Sequence, residues 1–165
     1  MYQIQPPVPL SSSLLWRLQQ ASYAAQGMSA WASDKTPSYI TSNPHFAEST
    51  ARVIFAALVD LAPRKETVHI IELGAGSGRF SWLLIEALDR IARQSPLKPA
   101  PWRLVMTDVS EAVLKAWTEH PQLKPWILRQ KLDFSRFNVE QPRPIRLRIA
   151  EAVVQRGPWI VLGNY

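Results

Sequence analysis

Glu72, Gly74, Gly76 and Gly78 stand at alternate positions in IIELGAGSGRF (70–80), and two more carboxylates, Asp108 and Asp133, follow in the apolar runs downstream. Three of the chain's six glycines fall within five residues. Glycines at that density let a turn reach backbone conformations closed to other residues, and let it approach a ligand that a Cβ would block. A phosphate-cradling loop needs Gly-x-x-x-x-Gly-Lys-Ser/Thr, and nothing like Lys-Ser follows Gly78. A dinucleotide fingerprint needs Gly-x-Gly-x-x-Gly, and its third glycine position holds Arg79. Both phosphate readings are therefore disfavoured.

Other chemistries find little to work with. The chain has no cysteine, which removes thiol catalysis, disulfides and Cys-ligated zinc. His45, His69 and His120 are far apart, and none has a metal-ligand spacing. His69 falls inside an apolar run, as a packed core residue would. Ser77 lacks the Gly-x-Ser-x-Gly elbow of an activated nucleophile.

The elements around the glycines set what they can do. VHIIEL (68–73) is a short apolar run suited to a strand buried on both faces. Phe80, Leu84, Ala87, Leu88 and Ile91 recur at helical spacing, so the turn joins a strand to a helix. Upstream, Ser11 to Ser13 offer caps for a helix carrying Leu14, Leu18, Ala21, Ala25 and Met28, with Gly27 near its end. Asn43 and Pro44 suit the cap and first position of a second helix. Its face is marked by Phe46, Val53, Ile54, Ala57, Leu58 and Leu61, and Pro63 stops it.

Downstream, QSPLKPAPW (94–102) is an irregular proline linker and RLVMTD (103–108) the next strand. Ser110 caps a helix over 111–119, and WILRQKLDF (126–134) is a third strand candidate. IRLRI (145–149) alternates apolar and basic residues as a solvent-facing strand or extended segment would, and AEAVVQ after it is compatible with a helix. PWIVLGNY (158–165) reads as another buried strand. Strands alternating with helices imply an α/β fold, a mostly parallel sheet with helices on both faces.

At 165 residues with 47% hydrophobic content and seven Trp, the chain can bury one core. No run approaches 18 apolar residues, so no membrane span is expected, and the N-terminus lacks the pattern of a secretory signal. The cytoplasm is the default expectation. The net charge of +6 is uneven: seven Lys/Arg lie between Lys124 and Arg148 against two acids, Asp133 and Glu140. That charge suits an anionic partner or a solvated basic surface; no stacked aromatic motif accompanies it, so a nucleic-acid partner is unsupported.

Glu72-x-Gly74-x-Gly76-x-Gly78 at the end of a first strand resembles motif I of the Rossmann-like, S-adenosylmethionine-dependent methyltransferases. The resemblance implies a three-layer α/β sandwich whose glycine turn cradles the amino-acid part of S-adenosylmethionine, with Glu72 helping to hold its ammonium. It implies that Asp108 accepts hydrogen bonds from the ribose hydroxyls and that Val109 lies against the adenine. Asp133 resembles the acid that contacts the adenine amino group, with Phe134 beside it, although an Asp after a strand is also an ordinary turn residue. Motif I is the specific part; the three motifs span about residues 68–135.

A narrower similarity joins TSNPHFAESTARVI and IVLGNY to methyltransferase relatives of the mitochondrial complex I assembly factor that methylates a protein arginine. It implies that residues 1–62 form a helical segment with a pocket-closing loop, placing Tyr39, Thr41 and Ser42 near the cofactor. Residues 63–165 would be the cofactor-binding domain. Catalytic residues stay unassigned. Asn164 and Tyr165 stand just after the fourth strand, where methyltransferases bind their acceptors, and resemble the Asn-Pro-Pro-Tyr signature of amino-group methyltransferases without its two prolines.

The expected function is methyl transfer to a small-molecule or protein acceptor. The alternatives are a non-catalytic S-adenosylmethionine-binding or scaffolding module and an NAD(P)-binding Rossmann protein. The resembled fold has seven strands, and fewer are legible here. The reading therefore expects an N-terminal part of a longer enzyme, or a partner chain that covers an open sheet edge.

Overall fold

A proline-free apolar run bracketed by Thr67 and the glycine turn becomes β1 (Val68–Leu73), the centre around which the chain is organised. The computed structural model describes residues 4–26, 40–154 and 157–164. The remaining strands are β2 (Trp102–Asp108), β3 (Leu132–Arg136) and β4 (Trp159–Gly163). All pair in parallel, in the order β3-β2-β1-β4. This is an α/β protein with a parallel sheet, compatible with a Rossmann-like fold. The order corresponds to the first four strands of the doubly wound arrangement.

The helices are α1 (Leu14–Gln26), α2 (Pro44–Leu61), α3 (Arg79–Gln94), α4 (Glu111–Glu119) and the short α5 (Lys124–Leu128). Asn43 caps α2 as expected, its Oδ1 accepting the Phe46 N–H at 2.9 Å. The inward face of α2 differs from the expected one. Ala47, Ala51, Ile54 and Leu58 are buried, while Val53 is 72% exposed and Phe46 only edges onto Phe80. The small alanines let α2 lie close against α3. In α1 the apolar positions Leu15, Trp16 and Leu18 are exposed, so that helix contributes no buried face among its described side chains. Gly27 and Met28 lie outside the described residues.

Strand periodicity sorts the core into two clusters. Val68, Ile70, Leu104, Met106, Leu132 and Phe134 pack with α2 to α5 on one face. Ile71 and Val105 point the other way, onto Ile145, Leu147 and Val154. Helices were expected on both faces, but among the described residues that second face is covered by an irregular segment. An isolated antiparallel bridge joins Arg146 to Val153, and the Val154 N–H donates to the Ile145 carbonyl at 2.8 Å. The helical option for 150–155 fails over its described part for a physical reason. Glu151 is left-handed (φ 51°), and the N–H groups of Ile149 and Ala150 are drawn to the Asp133 carboxylate at 2.9 and 3.1 Å.

The third strand is also displaced from its expected place. Residues 124–128 turn as a helix with Pro125 in the first turn, where its missing N–H costs nothing. Gln130 is left-handed (φ 56°), and β3 starts only at Leu132. β4 is a strand, as expected, but it is not buried on both faces. Ile160 and Leu162 pack inward, whereas Trp159 and Val161 are 48% and 54% exposed. No other strand pairs with its outer edge among the described residues.

Candidate functional site at the carboxyl ends of the strands

In a parallel sheet, ligands bind beyond the strands' carboxyl ends where the strand order reverses. Here that point lies between β1 and β4, with Leu73 paired to Gly163. The glycine turn leaves β1 at this place. Gly74, Gly76 and Gly78 have φ of 66°, 53° and 73°, the left-handed region that glycine enters without strain. Two of them do different work. A Cβ built on Gly74 would meet nothing within 4 Å, so its open side faces free space. A Cβ on Gly78 would lie 2.7 Å from Met106 Cε and 3.1 Å from the Trp117 indole nitrogen, so its job is close packing of helix on sheet.

The turn is held from three sides. The Trp117 indole N–H donates to the Gly76 carbonyl at 3.1 Å, and the ring rests against Phe134. The Ala75 N–H donates to the Thr107 carbonyl at 2.8 Å. The Gly76 N–H points at Asp108 Oδ2, 3.3 Å away.

Asp108 is half-buried at the end of β2. Its other oxygen accepts the Ser110 N–H at 2.9 Å. Burial raises its pKa, and hydrogen bonds from the backbone of Ser110, Gly76 and Val109 act against that rise. A carboxylate offers about four acceptor directions, so with three backbone donors on it one remains for a hydroxyl. Val109 follows directly and is exposed.

Glu72 is 1% exposed and lies beneath α3, where its carboxylate accepts the Ser81 hydroxyl. Burial without a counter-charge pushes its pKa up to about 7, the Ser81 bond pulling the other way. It ties the end of β1 to the first turn of α3.

Asp133 and Phe134 are not brought to the turn. Asp133 pairs in register with Val105, three residues short of the carboxyl end of β2. It is 1% exposed and accepts the N–H groups of Phe134, Ile149 and Ala150. Phe134 is sealed in the core against Trp117. Their role here is structural: one organises the cover of the sheet, the other backs the indole that holds Gly76.

The residues at the carboxyl end of β3 are instead Arg136, Phe137 and Asn138. The Phe137 N–H donates to the Asp108 carbonyl at 3.0 Å and Arg136 Nε to the Val109 carbonyl at 3.1 Å. With Val109, Gln141 and Arg143 they line a cleft of about 370 Å³. The sequence signal for them was Pro125, which favours a helical turn at 124–128 and so moves the strand end downstream.

Thr41 and Ser42 are tied through their carbonyls to residues that follow the glycine turn and β4. The Arg79 Nε donates to the Ser42 carbonyl at 3.0 Å and the Asn164 amide to the Thr41 carbonyl at 3.2 Å. Tyr39 and Tyr165 lie outside the described residues. No cluster of three or more His, Asp or Glu suited to a metal occurs among the described residues. No described helix is long and apolar enough to cross a membrane.

The arrangement is a glycine turn with a half-buried acid beside it at the switch point of a parallel sheet. No protein-family model, curated protein or solved structure matches this chain.

Proposed function

We propose that this chain binds S-adenosylmethionine at the carboxyl ends of β1 and β2 and transfers its methyl group to a small-molecule or protein acceptor. The observation that carries the reading is Asp108. Its half-buried carboxylate is aimed by the Gly76 and Ser110 N–H groups and keeps acceptor capacity for a ribose hydroxyl. In this reading Gly74 borders the amino-acid part of the cofactor. Glu72, at the end of β1, supplies the negative field for its ammonium, the counter-charge this buried acid lacks. The adenine occupies the cleft of Val109, Phe137 and Asn138, in place of the expected contacts with Asp133 and Phe134.

Methyl transfer from a sulfonium is an in-line displacement, so the protein's task is alignment of donor and acceptor, with removal of a proton where the acceptor carries one. No residue is assigned to that proton. A non-catalytic S-adenosylmethionine-binding module would use the same geometry and differ only in turnover.

Calorimetric titration with S-adenosylhomocysteine tests the reading. Saturable one-site binding that reduced nicotinamide dinucleotides do not displace is the expected result. Tighter binding of a nicotinamide dinucleotide would replace it with an oxidoreductase reading. Methyl transfer to a pool of acceptors then separates an enzyme from a binding module.

A further inference from the structure

The seven Lys and Arg residues from Lys124 to Arg148 have different fates in the fold. Arg129 lies over the Trp126 ring at 5.0 Å, Lys131 over the Trp102 ring at 4.2 Å, and Arg148 pairs with Glu111. Lys124 and Arg146 are exposed. Arg136 and Arg143 instead line one cleft, of about 370 Å³, beyond the carboxyl end of β3. We propose that this cleft holds an anion subsite, in which Arg136 and Arg143 bind the phosphate group of a small phosphorylated ligand.

Neither arginine is neutralised. Arg136, the last residue of β3, donates its Nε–H to the Val109 carbonyl at 3.1 Å. That bond restrains the guanidinium and leaves the N–H groups of its terminal nitrogens for a ligand. Arg143 makes no ion pair among the described residues. No carboxylate lines the cleft. Asp108 is the register partner of Arg136, but its oxygens accept the Gly76 and Ser110 N–H groups and form no ion pair with the arginine. Glu140 is exposed and lies outside the lining.

The other polar groups of the lining can donate as well. Asn138 Oδ1 accepts the Glu140 N–H at 2.9 Å, so the free end of that side chain is its N–H pair. The Gln141 amide lines the same cleft. Two guanidiniums with amide donors beside them suit a group that has several acceptor oxygens and more than one charge. A phosphate monoester is such a group, whereas one bidentate arginine satisfies a carboxylate. The cleft is in the size range of small-molecule sites, about 300–1,000 Å³, and its apolar wall of Val109 and Phe137 leaves room for the body of a ligand. A nucleic-acid backbone fits less well. It follows a continuous cationic groove, and here Arg129, Lys131 and Arg148 are committed to rings or to an acid. The adenine contacts proposed above use Val109, Phe137 and Asn138 and leave both guanidiniums unused. The subsite therefore adds to the cofactor reading and does not rest on it.

Phosphorus NMR titration of the full chain with inorganic phosphate and with glycerol phosphate, at constant ionic strength, tests the subsite. One saturable site is expected, with glycerol phosphate binding at least as tightly as inorganic phosphate. Arg136→Gln and Arg143→Gln should each weaken binding about tenfold, through lost charge-assisted hydrogen bonds, while Arg146→Gln stays within about twofold of the parent. All three side chains are exposed, and unchanged thermal unfolding of the variants is the control for folding. Equal weakening by all three variants would reduce the effect to net charge and overturn the subsite. So would a parent without saturable phosphate binding, or a short oligonucleotide that binds more tightly than glycerol phosphate and depends on Arg146. Saturating S-adenosylhomocysteine should leave the phosphate affinity unchanged, and mutual exclusion would overturn a subsite separate from the adenine. Phosphate binding by a protein that fails to bind S-adenosylhomocysteine would remove the cofactor reading and leave the anion subsite standing.

Discussion

The backbone N–H of Gly76 reaches the carboxylate of Asp108 across 32 residues of sequence, at 3.3 Å. The contact joins the turn after β1 to the end of β2 and fixes the position of the Asp108 carboxylate. Asp108→Ala is expected to weaken S-adenosylhomocysteine binding by roughly 1.5–3 kcal/mol, the range for hydrogen bonds to a charged group. Titration of the variant checks it, and parental affinity would rule out the ribose role.

The glycines predict a contrast. Gly78→Ala forces a Cβ against buried Met106 and Trp117 at a positive φ, and should destabilise the fold by roughly 2–4 kcal/mol. Gly74→Ala meets only the backbone strain, about 1–2 kcal/mol, yet should impair ligand binding more than Asp108→Asn does. Denaturant unfolding and titration of the same variants measure both. A Gly74 variant less stable than the Gly78 variant would contradict this division of labour.

Glu72 gives a pH dependence. Its folded pKa of about 7 lies above the ordinary glutamate value, so the folded state holds the proton that the unfolded chain gives up. Stability from this group is therefore complete below that ordinary value, 4.5, and declines as pH rises to about 7. The full loss is roughly 3 kcal/mol. Glu72→Gln should flatten this decline, gaining on the parent as pH rises from 4.5 to about 7 and holding that gain above it. Thermal unfolding across that range is the measurement, and parallel curves for parent and variant would exclude the assignment.

Trp117→Phe keeps a ring against Phe134 but leaves the Gly76 carbonyl without its donor. The expected cost is roughly 1–3 kcal/mol, that of a buried group left unsatisfied. Exchange at 74–78, which the indole bonds directly, should rise more than at α2. Uniform change across both regions would point to a global rather than a local loss.

The local chemistry of the sequence settled β1, the glycine turn, α3 and α4, because each has one strong periodicity and clear terminal signals. VHIIEL is a strand over its whole length, and the helix expected over 111–119 is there. The nearness of Asp108 to the turn was also legible, since both follow strands that adjoin in a parallel sheet.

Tertiary structure decided what such signals leave open. WILRQKLDF supports helix or strand equally on apolar content. Packing chose a helical turn and then a late strand, which turned Asp133 into a buried organiser of backbone N–H groups and put Phe137 and Asn138 at the strand end. The attachment of 40–43 to Arg79 and Asn164 spans 37 and 123 positions. Hydrogen bonds of that kind leave no period or spacing in a chain, because the donor and acceptor meet only after the sheet has brought two distant strand ends together.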